Sequence, residues 1–153
     1  MKILMSTLVV MTAAAGLAVA EDKPNFSGNW KVDADKSAFG PIGASESMMR
    51  SVEQKGADIS VKQVMTGPDM EFTLKYLADG KETINNFMGS DVKCKASWEG
   101  KSLVIRSYMD SEGAKVASTS KWTLSDDGKT WTEIWSVSSP QGDFEVKYVL
   151  VKQ

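Results

Sequence analysis

Val92-Lys93-Cys94-Lys95-Ala96-Ser97-Trp98-Glu99-Gly100-Lys101-Ser102 decides the fold. Successive side chains of an extended chain point to opposite faces, so Val92, Cys94, Ala96 and Trp98 share one face. Lys93, Lys95, Ser97 and Glu99 share the other. Glu99-Gly100 then supplies a turn, because glycine takes the positive φ of a tight hairpin without a steric cost. Both signals recur outward from this segment. Glycines at 56, 67, 80, 89, 100, 113, 128 and 142 punctuate the chain every 9 to 15 residues. Between them Ile59, Val61, Gln63 and Met65 alternate with their neighbours, as do Met70, Phe72, Leu74 and Tyr76, and Phe144, Val146, Tyr148 and Leu150. No segment keeps apolar residues at helical spacing long enough for a core helix. With strands at Phe26–Asp33 and Met48–Gln54 added, the pattern is all-β. It predicts an antiparallel up-and-down meander of about eight to ten strands, closed into a barrel because closure removes exposed edges. One connection is long, Ala34 to Ser47.

The chain has 153 residues, a formal net charge of −2 at pH 7, one cysteine and no histidine. That excludes His-dependent metal sites and Ser-His-Asp or Cys-His catalysis, and a mildly acidic domain without a basic run is a poor grip for nucleic acid. Met1-Lys2, the apolar stretch Ile3–Leu17 and Ala18-Val19-Ala20 have the form of a signal peptide cut near Ala20/Glu21. The expected organisation is therefore a leader over residues 1–20 and one domain over 21–153, periplasmic or secreted, without a transmembrane anchor in its mature form. With a single Cys94 there is no internal disulfide, which leans towards a bacterial periplasm.

Several motifs fail on geometry. Gly100-Lys101-Ser102 and Gly128-Lys129-Thr130 imitate the end of a phosphate loop, but five residues before each glycine stand Lys95 and Thr123, and no helix follows. Ser118 and Lys121, three apart on a strand, point to opposite faces and cannot act as a pair. Cys94 reads as a small buried hydrophobe, and the scattered acids read as solvated. No catalytic residue, metal ligand or cofactor is expected, and the chain is not read as an enzyme.

Asn25-Phe26-Ser27-Gly28-Asn29-Trp30-Lys31-Val32-Asp33 resembles the first strand of the calycins, the superfamily of lipocalins and fatty-acid-binding proteins, in which a Gly-x-Trp enters the barrel and the Trp closes its floor. Here that match is Gly28-x-Trp30. In order and spacing the wider pattern, Phe26 to Lys152, is similar to bacterial exported lipocalin-like proteins. The resemblance implies a barrel that binds a small molecule. Two features depart from fatty-acid-binding proteins. Ala34–Ser47 is too short for a two-helix lid, since each helix needs roughly ten residues. The positions matching that family's inward Arg, Arg and Tyr hold Ser107, Tyr148 and Leu150, so a carboxylate anchor is not expected. Only Lys147 and Lys152 are available to pack a cation on Trp30.

The aromatic residues, 5 Trp, 3 Tyr and 5 Phe, carry most of the functional information. A floor of Trp30, a wall of Phe72, Tyr76, Trp98, Ile105, Trp122 and Tyr148, and polar contacts from Ser107 and Ser120 are the candidate lining of a lumen. It would bind a small hydrophobic or amphipathic molecule. Alternatively, side chains fill the barrel and the protein is an interaction or inhibitor module for another exported protein. In that case Trp131 and Trp135, whose register is open, or the Ala34–Ser47 loop would form the contact patch.

Overall fold

The computed structural model describes residues 22–44, 47–66, 69–111 and 113–153. The leader and the expected turn at position 67 lie outside them. The fold is an all-β antiparallel meander. Its strands are β1 (Gly28–Val32), β2 (Met49–Lys55), β3 (Asp58–Met65), β4 (Met70–Leu77) and β5 (Asp79–Phe87). They continue with β6 (Ser90–Glu99), β7 (Ser102–Ser111), β8 (Ala114–Leu124), β9 (Thr130–Ser139) and β10 (Gly142–Lys152). One sheet contains all ten in the order β4-β3-β2-β1-β10-β9-β8-β7-β6-β5. Each strand pairs with its chain neighbour except β4 with β5, and one further ladder joins the first strand to the last. β1 pairs with β10, with Trp30 opposite Lys152, which wraps the sheet round on itself. β4 and β5 are the two ends of the sheet and share no ladder.

That seam is nonetheless bridged. The side-chain amide of Asn85 accepts from the Lys75 N–H at 2.8 Å and donates to the Lys75 carbonyl at 2.9 Å. An amide carries the same donor and acceptor as a peptide unit, so Asn85 stands in for one rung of the missing ladder. The expected closed barrel is thus nearly closed, and the last closure is made by a side chain.

The long connection holds two short 3-10 turns, Ala34–Lys36 and Gly40–Ile42, too small to be a helical lid. It is fastened to β10: Ala38 and Lys147 exchange backbone hydrogen bonds of 2.8 Å, and the Ser37 hydroxyl accepts from the Val149 N–H. β1 is shorter than expected because Phe26 leaves the strand and tucks under the barrel, fully buried. Among the described residues no helix is long and apolar enough to cross a membrane.

Alternation sorts side chains as the sequence implies. Ile59, Val61, Cys94, Ala96, Ile105, Trp122, Val146 and Leu150 are buried inside, while Lys62, Lys93, Lys95, Lys121, Glu145 and Lys147 are exposed. Trp131 is fully buried. This settles the open register of β9 and removes Trp131 from any surface contact patch. Gly100 and Gly128, in the two phosphate-loop look-alikes, sit in turns with φ of 61° and 71°.

Candidate functional site in the barrel lumen

The lumen has three levels. At the end where the β6–β7 and β8–β9 turns lie, aromatic rings make a packed floor. Phe26 meets Trp122 and Trp131 edge-on at 5.5 and 5.4 Å, Trp30 meets Trp131 at 5.7 Å, and Trp122 meets Trp131 at 4.5 Å. Such pairs add to simple area burial. The Trp30 Nε1 donates to the Phe26 carbonyl at 2.9 Å, and the Lys152 Nζ stands 5.6 Å from the centre of the Trp30 ring. Of the two lysines considered for that role, Lys152 takes it and Lys147 points to solvent. Trp131 Nε1 is buried without a hydrogen-bond partner among the described residues.

Above the floor comes a level of polar groups. Arg50 projects inward from β2 and Glu133 from β9, both almost completely buried at 8% and 6% exposure. They form an ion pair through Arg50 Nη1 and Glu133 Oε2. Arg50 Nε also donates to Gln63 Oε1 at 2.8 Å, and its guanidinium lies 4.9 Å from the Trp131 ring and 5.5 Å from Tyr148. The other Glu133 oxygen accepts from the Ser120 hydroxyl, which itself accepts from Trp122 Nε1 at 3.1 Å. A second cluster joins Asn85, Cys94 and Ser107: the Asn85 amide and the Ser107 hydroxyl both point donors at the Cys94 sulfur, at 3.5 and 3.3 Å. Tyr76 stands between the clusters. Burial, with help from Cys94 and Glu133, pushes its hydroxyl far above the ordinary tyrosine value and keeps it neutral.

At the third level, beside the β3–β4, β5–β6, β7–β8 and β9–β10 turns, the inward side chains are apolar but only half-buried. Met65, Met70, Phe72, Phe87, Val92, Met109, Val116, Trp135 and Phe144 belong here. An inward residue of a barrel is reached by solvent only through the mouth or the seam, so this end of the lumen is open. Phe72 packs edge-on against Phe87 at 5.0 Å and Trp135 against Phe144 at 5.8 Å. Phe39 from the long connection leans on Tyr148 at 5.9 Å and roofs one side. A separate concavity of about 390 Å³ lies at the lower end of the seam, lined by Ile59, Lys75, Tyr76, Leu77 and Thr83 among others. Another, about 460 Å³, crosses β8, β9 and β10 near Ser118, Val137 and Phe144.

The candidate residues therefore divide by level. Trp30, Trp98 and Trp122 belong to the floor, where Trp98 stacks on Phe26 at 6.4 Å, and Ile105 lies above them, opposite Ser120 on the neighbouring strand. Tyr76, Ser107, Ser120 and Tyr148 stand at the polar level, and Phe72 at the open end. The sequence reading misses Arg50 and Glu133. It expects no cation in the lumen and treats acids as solvated, and the structure corrects both points. A charge was nonetheless visible at the centre of two apolar faces, Met48-x-Arg50-x-Val52 and Trp131-x-Glu133-x-Trp135.

No protein-family model matches the chain, and no curated protein matches it in sequence. Solved structures do match. Zebrafish ileal bile acid-binding protein complexed with cholic acid is 21% identical, with a TM-score of 0.63 over 84% of this chain and 98% of that one. A secretory abundant heat soluble protein of Ramazzottius varieornatus is 12% identical, TM-score 0.64, over 84% and 95%. A structure titled REP1-NXSQ fatty acid transporter is 12% identical, TM-score 0.57, over 84% and 96%. The chain shares the fold of these proteins, here an antiparallel meander of ten strands wrapped into a nearly closed barrel.

Proposed function

We propose that this protein is a carrier, not an enzyme, that holds a small hydrophobic or amphipathic molecule in the open half of its lumen. The observation that carries this reading is the contrast between levels: a sealed aromatic floor beneath inward-facing Met, Phe and Trp side chains that solvent still reaches. Covering those side chains with an apolar ligand would gain about 25 cal/mol for each Å² removed from water. Fold neighbours named for bile-acid binding and fatty-acid transport support a ligand of this class. Burial of Trp131 weakens the alternative of a docking module that uses Trp131 and Trp135. Export to a periplasm or exterior, with cleavage near Ala20, is part of the proposal and is checked by sequencing the N-terminus of the mature chain.

The test is a native mass spectrum of the protein taken from its own compartment with minimal washing. The expected result is a discrete extra mass that organic solvent removes. A bare mass that stays unchanged on adding a fatty acid, its methyl ester and the corresponding amine in turn would overturn the reading.

A further inference from the structure

Arg50 and Glu133 are both more than nine-tenths buried, and their charges cancel. Glu133 has both oxygens engaged, one by Arg50 and the other by the Ser120 hydroxyl, and its charge is already matched by the guanidinium. Arg50 differs. A guanidinium carries five N–H donors. The described contacts use Nε towards Gln63 and Nη1 towards Glu133, which leaves Nη2 without a hydrogen bond to a described residue. The aromatic faces of Trp131 and Tyr148 fix the plane of the group.

A ligand carboxylate that reached this level would have to share one guanidinium with Glu133. One negative charge would then be buried uncompensated, which a low-dielectric interior penalises heavily. An ammonium group would leave one positive charge in the same position. A neutral acceptor oxygen meets neither penalty and finds a charge-assisted donor waiting.

We propose that Glu133 is a specificity-determining residue: by occupying Arg50 it turns the lumen away from anionic lipids and towards uncharged amphiphiles, an apolar body ending in an ester, ketone or hydroxyl oxygen. This rests on the carrier reading and adds the ligand's charge class. The apolar body lies among Met65, Phe72, Met109 and Trp135, and the oxygen faces Arg50.

The experiment titrates the purified protein at neutral pH with dansyl-labelled undecanoic acid, its methyl ester and the corresponding undecylamine, following dansyl fluorescence. The wild-type chain is expected to bind the ester about tenfold or more tightly than the acid or the amine, a factor that equals roughly 1.4 kcal/mol. Glu133→Gln frees the guanidinium and is expected to reverse the order of ester and acid. The double variant Arg50→Gln/Glu133→Gln should lose the gained acid binding, which assigns that gain to Arg50. Wild-type protein binding the acid as tightly as the ester overturns the inference, as does a folded Glu133→Gln with no gain for the acid. If Glu133→Gln does not fold, the wild-type order of the three probes decides alone. Failure of all three probes on the wild-type chain is a different result, because it overturns the carrier reading itself.

Discussion

Glu133 on β9 reaches across the lumen to Arg50 on β2, and the two form a buried ion pair 83 residues apart in sequence. The pair ties β2 to β9, which the sheet holds apart by the two strands β1 and β10. Removing one partner strands the other charge, which typically costs about 3–5 kcal/mol, while exchanging both for apolar residues of similar volume is often neutral. Arg50→Ala or Glu133→Ala should therefore lower the urea midpoint sharply. Arg50→Met/Glu133→Leu should recover most of the loss, as read by a double-mutant cycle.

Asn85 closes the seam between β4 and β5. Asn85→Ala removes both hydrogen bonds to Lys75 and leaves the edge of β4 to water, at a cost on the order of 1–2 kcal/mol. Amide exchange at Lys75 should accelerate by more than exchange in the β6–β9 core does. Equal protection at Lys75 in both proteins would show that the clamp does not hold the seam.

Gly28 has φ of +133°, a region that side chains avoid, and a Cβ there would stand 2.8 Å from the Lys152 Cε. The lysine tail can swing aside but the backbone cannot. Gly28→Ala should cost on the order of 1–3 kcal/mol, and adding Lys152→Ala should not restore it. Rescue by the double variant would show that crowding, and not conformation, is the cause.

Burial above all raises the Tyr76 hydroxyl above its ordinary value of 10.0, with Cys94 and Glu133 adding to the shift and Arg50 opposing it. As pH rises past 10.0 the unfolded chain gives up this proton and the folded chain keeps it. Stability is thus fully present below that pH and falls above it. Urea midpoints measured across this range should decline in the wild-type protein and decline less in Tyr76→Phe.

The meander was legible because turn glycines and period-two alternation are local signals. Val92 to Trp98 needs no partner to show which way each side chain points. The inward placement of Phe72, Tyr76, Ser107, Ser120, Trp122 and Tyr148 follows from the same rule. What was hidden depends on pairs. A lone Arg50 or Glu133 on an apolar face looks like an exception to the pattern, and only the wrap of β2 towards β9 makes each the other's counter-charge. The seam was hidden for the same reason, since nothing in Asn85 itself says that it mimics a backbone amide. Trp131 was ambiguous because Glu133 shares its face, so both faces of β9 looked equally polar.

The central claim is that an apolar ligand occupies the open half of the lumen, above Arg50 and Glu133. The most direct measurement is a titration with dansyl-labelled undecanoyl methyl ester of the wild-type protein and of Val116→Trp, whose added ring would plug the space between Met109 and the mouth. The account predicts saturable, single-site binding to the wild-type chain and its loss in a Val116→Trp protein of unchanged melting temperature. Equal binding by the plugged and unplugged proteins would contradict it.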